Sequence, residues 1–151
     1  SRGGFVLRRM EEKEVRELYQ ARAAVEGQAA RILASRVDPQ ELAILRRVIE
    51  TEENISSASA KEYFEANRAI HRKFVELVDN RYLLDMFDSV WNRAVGFLFF
   101  AAIEKVDLSK SLGDHMRLVD AIATGDKSHA LEVFTQHIQD GFELQIEGME
   151  A

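Results

Sequence analysis

Three of the four histidines in the sequence fall on apolar stripes at helical spacing. His71 shares its stripe with Phe64, Asn67, Phe74 and Val78. His115 shares one with Leu108, Leu112, Leu118, Val119 and Ile122, and His137 one with Ala130, Val133 and Gly141, close to Phe134 and Ile138. His129 falls in the first turn of the last helix and reads as exposed. A lone inward histidine is most simply a neutral core residue with a hydrogen-bond partner. Three of them, joined by Asn67, ask for more. Each buried imidazole has two ring nitrogens to satisfy, and a helical core offers few free backbone partners. A single shared metal ion would satisfy three imidazoles together. Asn67 and His71 stand at i and i+4 and project from one helix face, as a two-ligand pair should. A nitrogen-rich donor set suits Zn²⁺, Ni²⁺ or a similar borderline ion rather than Ca²⁺ or Mg²⁺. Mn²⁺ is not separable from Zn²⁺ or Ni²⁺ on sequence.

Arg22 is a second residue out of place. Val15, Leu18, Val25, Ala29 and Ile32 form the inward face of the first helix; Arg22 lies on that face, and Glu26 lies one turn on, at its edge. An inward charge is costly unless paired. Either Arg22 and Glu26 form an ion pair within one helix, or Arg22 faces a cavity and takes an anionic ligand, since a guanidinium grips a carboxylate with two parallel N–H bonds.

The elements that must position these residues are helices. One proline occurs in the chain, strand-like alternation is nearly absent, and helical periodicity dominates. A long helix is predicted from about Met10 to Arg36. "VDPQEL" opens a second, with Asp38 as cap, Pro39 in the first helical position and Glu41 in the third. "NISSASA" ends it. A third is predicted over Ala60–Val78, a fourth over Tyr82–Glu104, a fifth out of "KVDLSKSLGD" to Ala123, and a sixth, capped by Asp126 after "TGD", to about Glu147. Six amphipathic helices with short connections predict an all-α antiparallel bundle.

Bulk properties narrow the function. The 151 residues suit one domain, and 46% hydrophobic residues suit one with a real core. No apolar run is free of charge for long enough to span a bilayer; "AVGFLFFAAI" is too short. "SRGGFVLRRM" lacks the apolar region of a signal peptide, and there is no cysteine, which excludes thiolate ligands and disulfides and fits a cytoplasmic location. A net charge of −6 makes the chain by itself a poor partner for DNA. The long apolar run of the fourth helix, "VWNRAVGFLFFAAI", has apolar residues on more than one face. It suits either burial at the centre of the bundle or burial against a second copy, so a homodimer is expected.

Several segments resemble the C-terminal effector-binding domain of the FadR branch of GntR-type transcription regulators, the FCD domain. They are "ELYQARAAVEGQAARILA", which holds Arg22 and Glu26, "VDPQELAILRRVIE", "EANRAIHRKFVELVDNRYLLDMF" and "GDHMRLVDAIATGDKSHALEVFTQHI". The resemblance covers nearly the whole chain. It implies a helical bundle over residues 11–151 that senses a ligand, dimerises and controls an attached DNA reader. It implies a metal held by an acidic or amide residue and three histidines, at Asn67, His71, His115 and His137, with a small organic acid or related metabolite beside it and Arg22 placed to bind it. Asn67 stands where aspartate is more usual, and an amide oxygen is the weaker ligand. Residues 1–10 look like the end of a winged-helix DNA-binding domain, through which any DNA contact would run.

Two other functions compete. Three histidines and an open coordination position could activate water in a metalloenzyme. No carboxylate is obviously placed as a general base, though, and the Glu-x-x-His pairs of a di-iron bundle are absent: Arg68, Leu112 and Phe134 stand three residues before His71, His115 and His137. The other function is a metal-free module in which the histidines and Arg22 bind an anion directly. The regulatory reading, not an enzyme, is favoured.

Overall fold

The computed structural model describes residues 11–55, 59–95 and 113–150. Among them are six helices: α1 (Glu12–Arg36), α2 (Pro39–Glu53), α3 (Ala60–Leu77), α4 (Arg81–Val95), α5 (Met116–Ala123) and α6 (Lys127–Glu150). The all-α architecture is the one the periodicity predicts.

Local chemistry accounts for the boundaries. Glu12 and Glu14 in the first turn of α1 and Arg36 in its last complement the helix dipole. Asp38 accepts a hydrogen bond from the Gln40 N–H at 2.8 Å and Pro39 follows it, so α2 starts where its signal lies. Ser59 and Glu62 form a reciprocal capping box at the start of α3. The Asn80 side chain accepts from the Tyr82 and Leu83 N–H groups at 3.0 and 3.1 Å and opens α4. Asp126 accepts from the His129 N–H at 3.0 Å and opens α6.

α1 is the central post. It packs most extensively on α6 and also meets α3, α4 and α5; α2 lies on α3 and α5. Leu33 of α1, Leu45 and Ile49 of α2, Ile70 and Phe74 of α3, Phe87 of α4, Leu118 and Ile122 of α5 and Phe134 of α6 are fully buried. Phe74 and Phe134 meet edge to face, ring centroids 5.1 Å apart, and lock α3 to α6 just below the histidines.

The prediction differs from the structure at element ends. The fifth helix begins only at Met116, and His115 stands at its N-cap rather than inside it. The stripe partners Leu108 and Leu112, the run of the fourth helix beyond Val95 as far as Glu104, Met10, and the winged-helix remnant at residues 1–10 all lie outside the described residues. The sixth helix runs three residues past its predicted end, to Glu150.

The turn between α5 and α6 gives a direct test of the backbone. Gly125 has φ +75°, and its N–H bonds the Ile122 carbonyl at 3.1 Å. A side chain there is strained by about 1–2 kcal/mol. Gly125→Ala is therefore expected to lower the melting temperature by roughly 2–8 °C, read by thermal denaturation; an unchanged melt would show that the turn does not need this conformation.

Candidate metal centre

α3 carries Asn67 and His71 one turn apart, the start of α5 carries His115, and α6 carries His137. The structure brings the three histidines together: one ligating nitrogen from each lies within 4.8 Å of the others. The ring centroids are 5.0–5.1 Å apart in all three pairs. His71 and His115 are fully buried, and His137 is half-buried. His71 Nε2 faces His137 Nε2 at 3.3 Å, and His115 Nε2 faces the Asn67 Oδ1 at 3.0 Å. His129 is exposed and apart from them.

His115 reaches this position through the chain before it. Asp114 adopts φ +72°, a left-handed conformation that aspartate tolerates, and the turn swings residue 115 into the core.

Two carboxylates stand behind the rings. Glu26 Oε1 contacts His71 Nδ1 at 2.5 Å, and Glu53 Oε1 contacts His115 Nδ1 at 2.8 Å. Sequence reasoning singled out Glu26 as a neighbour of Arg22 but not of a histidine, and it missed Glu53, finding no carboxylate obviously placed near the histidines. The contacts span 45 and 62 residues, so no local spacing announces them. Both touch Nδ1, the nitrogen turned away from the cluster, which suits them to orient imidazoles.

Electrostatics keep two imidazoles neutral. Burial lowers His71 to about 4, overcoming the pull of Glu26 in the other direction. Burial, and after it His71 and His115, lowers His137 well below the ordinary histidine value. A neutral imidazole presents a lone pair, which is what a metal ligand needs.

Glu26 was expected at an edge of α1 and is instead almost wholly buried, 1% exposed. Its Oε1 meets His71, and its Oε2 accepts from Arg22 Nε at 2.9 Å and from Trp91 Nε1 at 3.3 Å. Burial alone would raise its carboxyl, but Arg22 and then His71 outweigh it and hold it well below the usual carboxylate range. Arg22 is thus paired along its own helix, one of the two arrangements its position allowed. Its guanidinium also lies 4.3 Å from the Trp91 ring centroid and 4.9 Å from that of Tyr19. Burial lowers Arg22, yet Glu26 and Tyr19 raise it further, so it stays charged. Trp91 is the other residue sequence reasoning missed. It belongs to the apolar run of the fourth helix, and nothing in that run separates a core indole from one stacked on a cation.

The donor set fits a transition metal. Two imidazole nitrogens 3.3 Å apart have the separation expected of nitrogens sharing one ion at bond lengths of about 2.0–2.1 Å. His115 has an oxygen acceptor on each ring nitrogen, whereas a neutral imidazole has one N–H to give. With the amide in this orientation, a cation between His115 Nε2 and Asn67 Oδ1 satisfies both atoms.

Comparison with known proteins agrees with this picture of the fold. The FCD domain family model matches residues 17–140. The chain is 26% identical over 144 residues to the Nta operon transcriptional regulator of Aminobacter aminovorans, covering 95% of this chain and 67% of that protein. It is 24% identical over 135 residues to a protein of Paenarthrobacter nicotinovorans named "Probable D-xylose utilization operon transcriptional repressor", covering 89% of this chain and 59% of that one. Among solved structures, one described as "Metal-free FCD domain of TM0439 a putative transcriptional regulator" superposes with a TM-score of 0.70 at 20% identity, over 93% of this chain and 97% of that one. E. coli McbR/YncC superposes with a TM-score of 0.75 at 15% identity, over 92% of this chain and 67% of that one. At those identities the structures speak for the fold.

Proposed function

Because the chain belongs to the FCD domain family, we propose that it is the ligand-sensing part of a DNA-binding transcriptional regulator. In this reading His71, His115 and His137 hold a divalent transition metal, with Asn67 as a weaker oxygen donor. A small carboxylate-bearing effector binds beside the ion, and Arg22, next to Glu26, anchors it. The curated relatives are named as transcriptional regulators rather than enzymes, which speaks against catalysis. The observation that carries the reading is the convergence of three imidazoles from three helices, with the outward nitrogens of two of them held by carboxylates.

Imidazole-rich ligation favours Zn²⁺ or Ni²⁺; the oxygen of Asn67 keeps Mn²⁺ within the set. A bound ion would supply positive charge and open positions for a carboxylate oxygen. The chain's own part is to exclude water and to hold a second cation, Arg22, whose Nε is engaged by Glu26 and whose terminal nitrogens carry the remaining donors.

The chain spans 67% and 59% of the two curated relatives. In this proposal contact with DNA belongs to a winged-helix domain N-terminal to this one. Pairing with a second copy is part of the same proposal. No helix among the described residues is long and apolar enough to cross a membrane; a cytoplasmic location is part of the same proposal. A second reading, a metal-free anion-binding module, draws on the similar FCD structure described as metal-free.

Elemental analysis of the purified chain decides between the two. One equivalent of zinc or nickel, lost in His115→Ala, is expected. A chain that neither carries nor takes up either ion or Mn²⁺ overturns the metal reading and leaves the anion-binding module. Light scattering at micromolar concentration tests the dimer, which a monomeric mass would refute.

A further inference from the structure

Glu53 is the last residue of α2, and its Oε1 is turned to the back of the His115 ring, outside the group of converging nitrogens. We propose that Glu53 is a positioning residue for the metal site: it selects which nitrogen of His115 faces the ion and fixes the main chain that carries it. The proposal rests on the metal-binding reading above.

The geometry is specific. One atom, Glu53 Oε1, accepts from the His115 backbone N–H at 3.1 Å and lies 2.8 Å from His115 Nδ1. The first contact fixes the backbone of residue 115. The second places the ring proton on Nδ1 and leaves the Nε2 lone pair directed at Asn67. His71 and His137 sit within α3 and α6, where the helix itself fixes the direction of the side chain. His115 has no such frame. It stands at the N-cap of α5 after the left-handed Asp114, and no side-chain cap holds that end. A half-turn of the ring about its Cβ–Cγ bond would put a carbon where each nitrogen stands, taking Nδ1 from Glu53 and Nε2 from Asn67, and Glu53 opposes that rotation.

Glu53 also joins elements that are far apart in sequence. It ties the C-terminal end of α2 to the N-terminal end of α5, so an ion held by His115 draws on the position of α2. Glu26 has a different place behind His71: it meets the ring alone and shares its charge with Arg22. The simpler role for Glu53 is a carboxylate that stabilises the positive end of the α5 dipole. That role changes stability and leaves the state of the imidazole ring untouched.

The test uses the full chain, stripped of metal, as wild type, Glu53→Gln and Glu53→Ala. Ring ¹⁵N NMR reads the tautomer of His115, and competition with a chromophoric chelator reads Zn²⁺ affinity. Wild type is expected in the Nδ1–H form. Glu53→Ala is expected to shift toward the Nε2–H form and to lose Zn²⁺ affinity roughly ten- to a hundredfold. Glu53→Gln keeps an oxygen acceptor and is expected to recover the tautomer and most of the affinity. An unchanged tautomer with affinity within about twofold of wild type in Glu53→Ala overturns the proposal, as does a loss of melting stability alone. If wild type binds no Zn²⁺, the metal-binding reading fails for that ion, and the tautomer by itself decides whether Glu53 sets the ring. If Glu53→Ala does not fold, Glu53→Gln carries the test, and a displaced tautomer there, in a folded chain, overturns the proposed rescue by the oxygen acceptor.

Discussion

Stripping the metal-loaded protein with a chelator is expected to lower its melting temperature by about 8–16 °C. An ion that binds the folded chain alone stabilises it by RT ln(1 + [L]/Kd), about 4 kcal/mol when the free ion stands at a thousand times Kd. For a domain of this size each kcal/mol moves the melt by roughly 2–4 °C. The donors come from α3, α5 and α6, so the ion would fasten three helices whose contacts are otherwise mainly apolar. His71→Ala is expected to abolish the chelator response and to melt at or below stripped wild type. It removes a ligand, opens space in a core where His71 is 0% exposed, and takes from Glu26 one of its partners. Differential scanning calorimetry with and without chelator makes the measurement. Identical melts from protein shown to carry one ion per chain would mean that the ion contributes nothing to the fold.

The cluster was legible in part because three of the four proposed ligands sit inside helices. Asn67 and His71 are four residues apart on α3, and His137 lies on the apolar face of α6, so periodicity alone turns them inward. His115 was found for a less secure reason. Its predicted stripe ran back through Leu108 and Leu112, yet the residue stands at an N-cap, and what places it is the Asp114 turn and Glu53. The inward direction was recognised, and the device that creates it was not. The same limit hid Glu53 altogether. It is a polar residue at a helix end, its side chain 24% exposed, and its partner is 62 residues away.

Glu26 shows how phase can locate a residue and misjudge its surroundings. Its spacing from Arg22 offered an ion pair within one helix as one of two arrangements. Its spacing could not announce that the other oxygen would meet His71 from α3, or that Trp91 from α4 would donate to it and stack near Arg22. Those contacts depend on how helices cross. Capping signals are local and behaved differently: Asp38, Pro39, Gly125 and Asp126 all mark boundaries where the residues themselves supply the hydrogen bond or the backbone conformation.

Arg22→Ala is expected to have two separable effects, a loss of stability of about 3–5 kcal/mol and a loss of carboxylate binding. The first follows from what remains. Glu26 stays 1% exposed and ionised, with His71 and Trp91 as its remaining partners and no cation beside it. The paired substitution Arg22→Met with Glu26→Gln should then cost less than the sum of its two parts, since each single change strands a buried charge that the double change removes. Urea denaturation of the four proteins gives the coupling. The second effect belongs to the proposed role of Arg22 toward an effector. Arg22→Lys retains a cation near Glu26 and should recover part of the stability, but an ammonium offers neither the planar fork nor the flat face that lies near Tyr19 and Trp91. Calorimetric titration of the metal-loaded proteins with a panel of small mono- and dicarboxylic acids should show binding weakened roughly ten- to a hundredfold in Arg22→Lys as well as in Arg22→Ala. Metal content should be the same in wild type and Arg22→Lys, because Arg22 donates no lone pair to the ion. A variant with low stability and wild-type carboxylate affinity would make the Arg22–Glu26 pair a structural one and move the effector anchor elsewhere. Wild-type stability in Arg22→Ala would show instead that Glu26 takes up a proton or reaches water once its partner is gone.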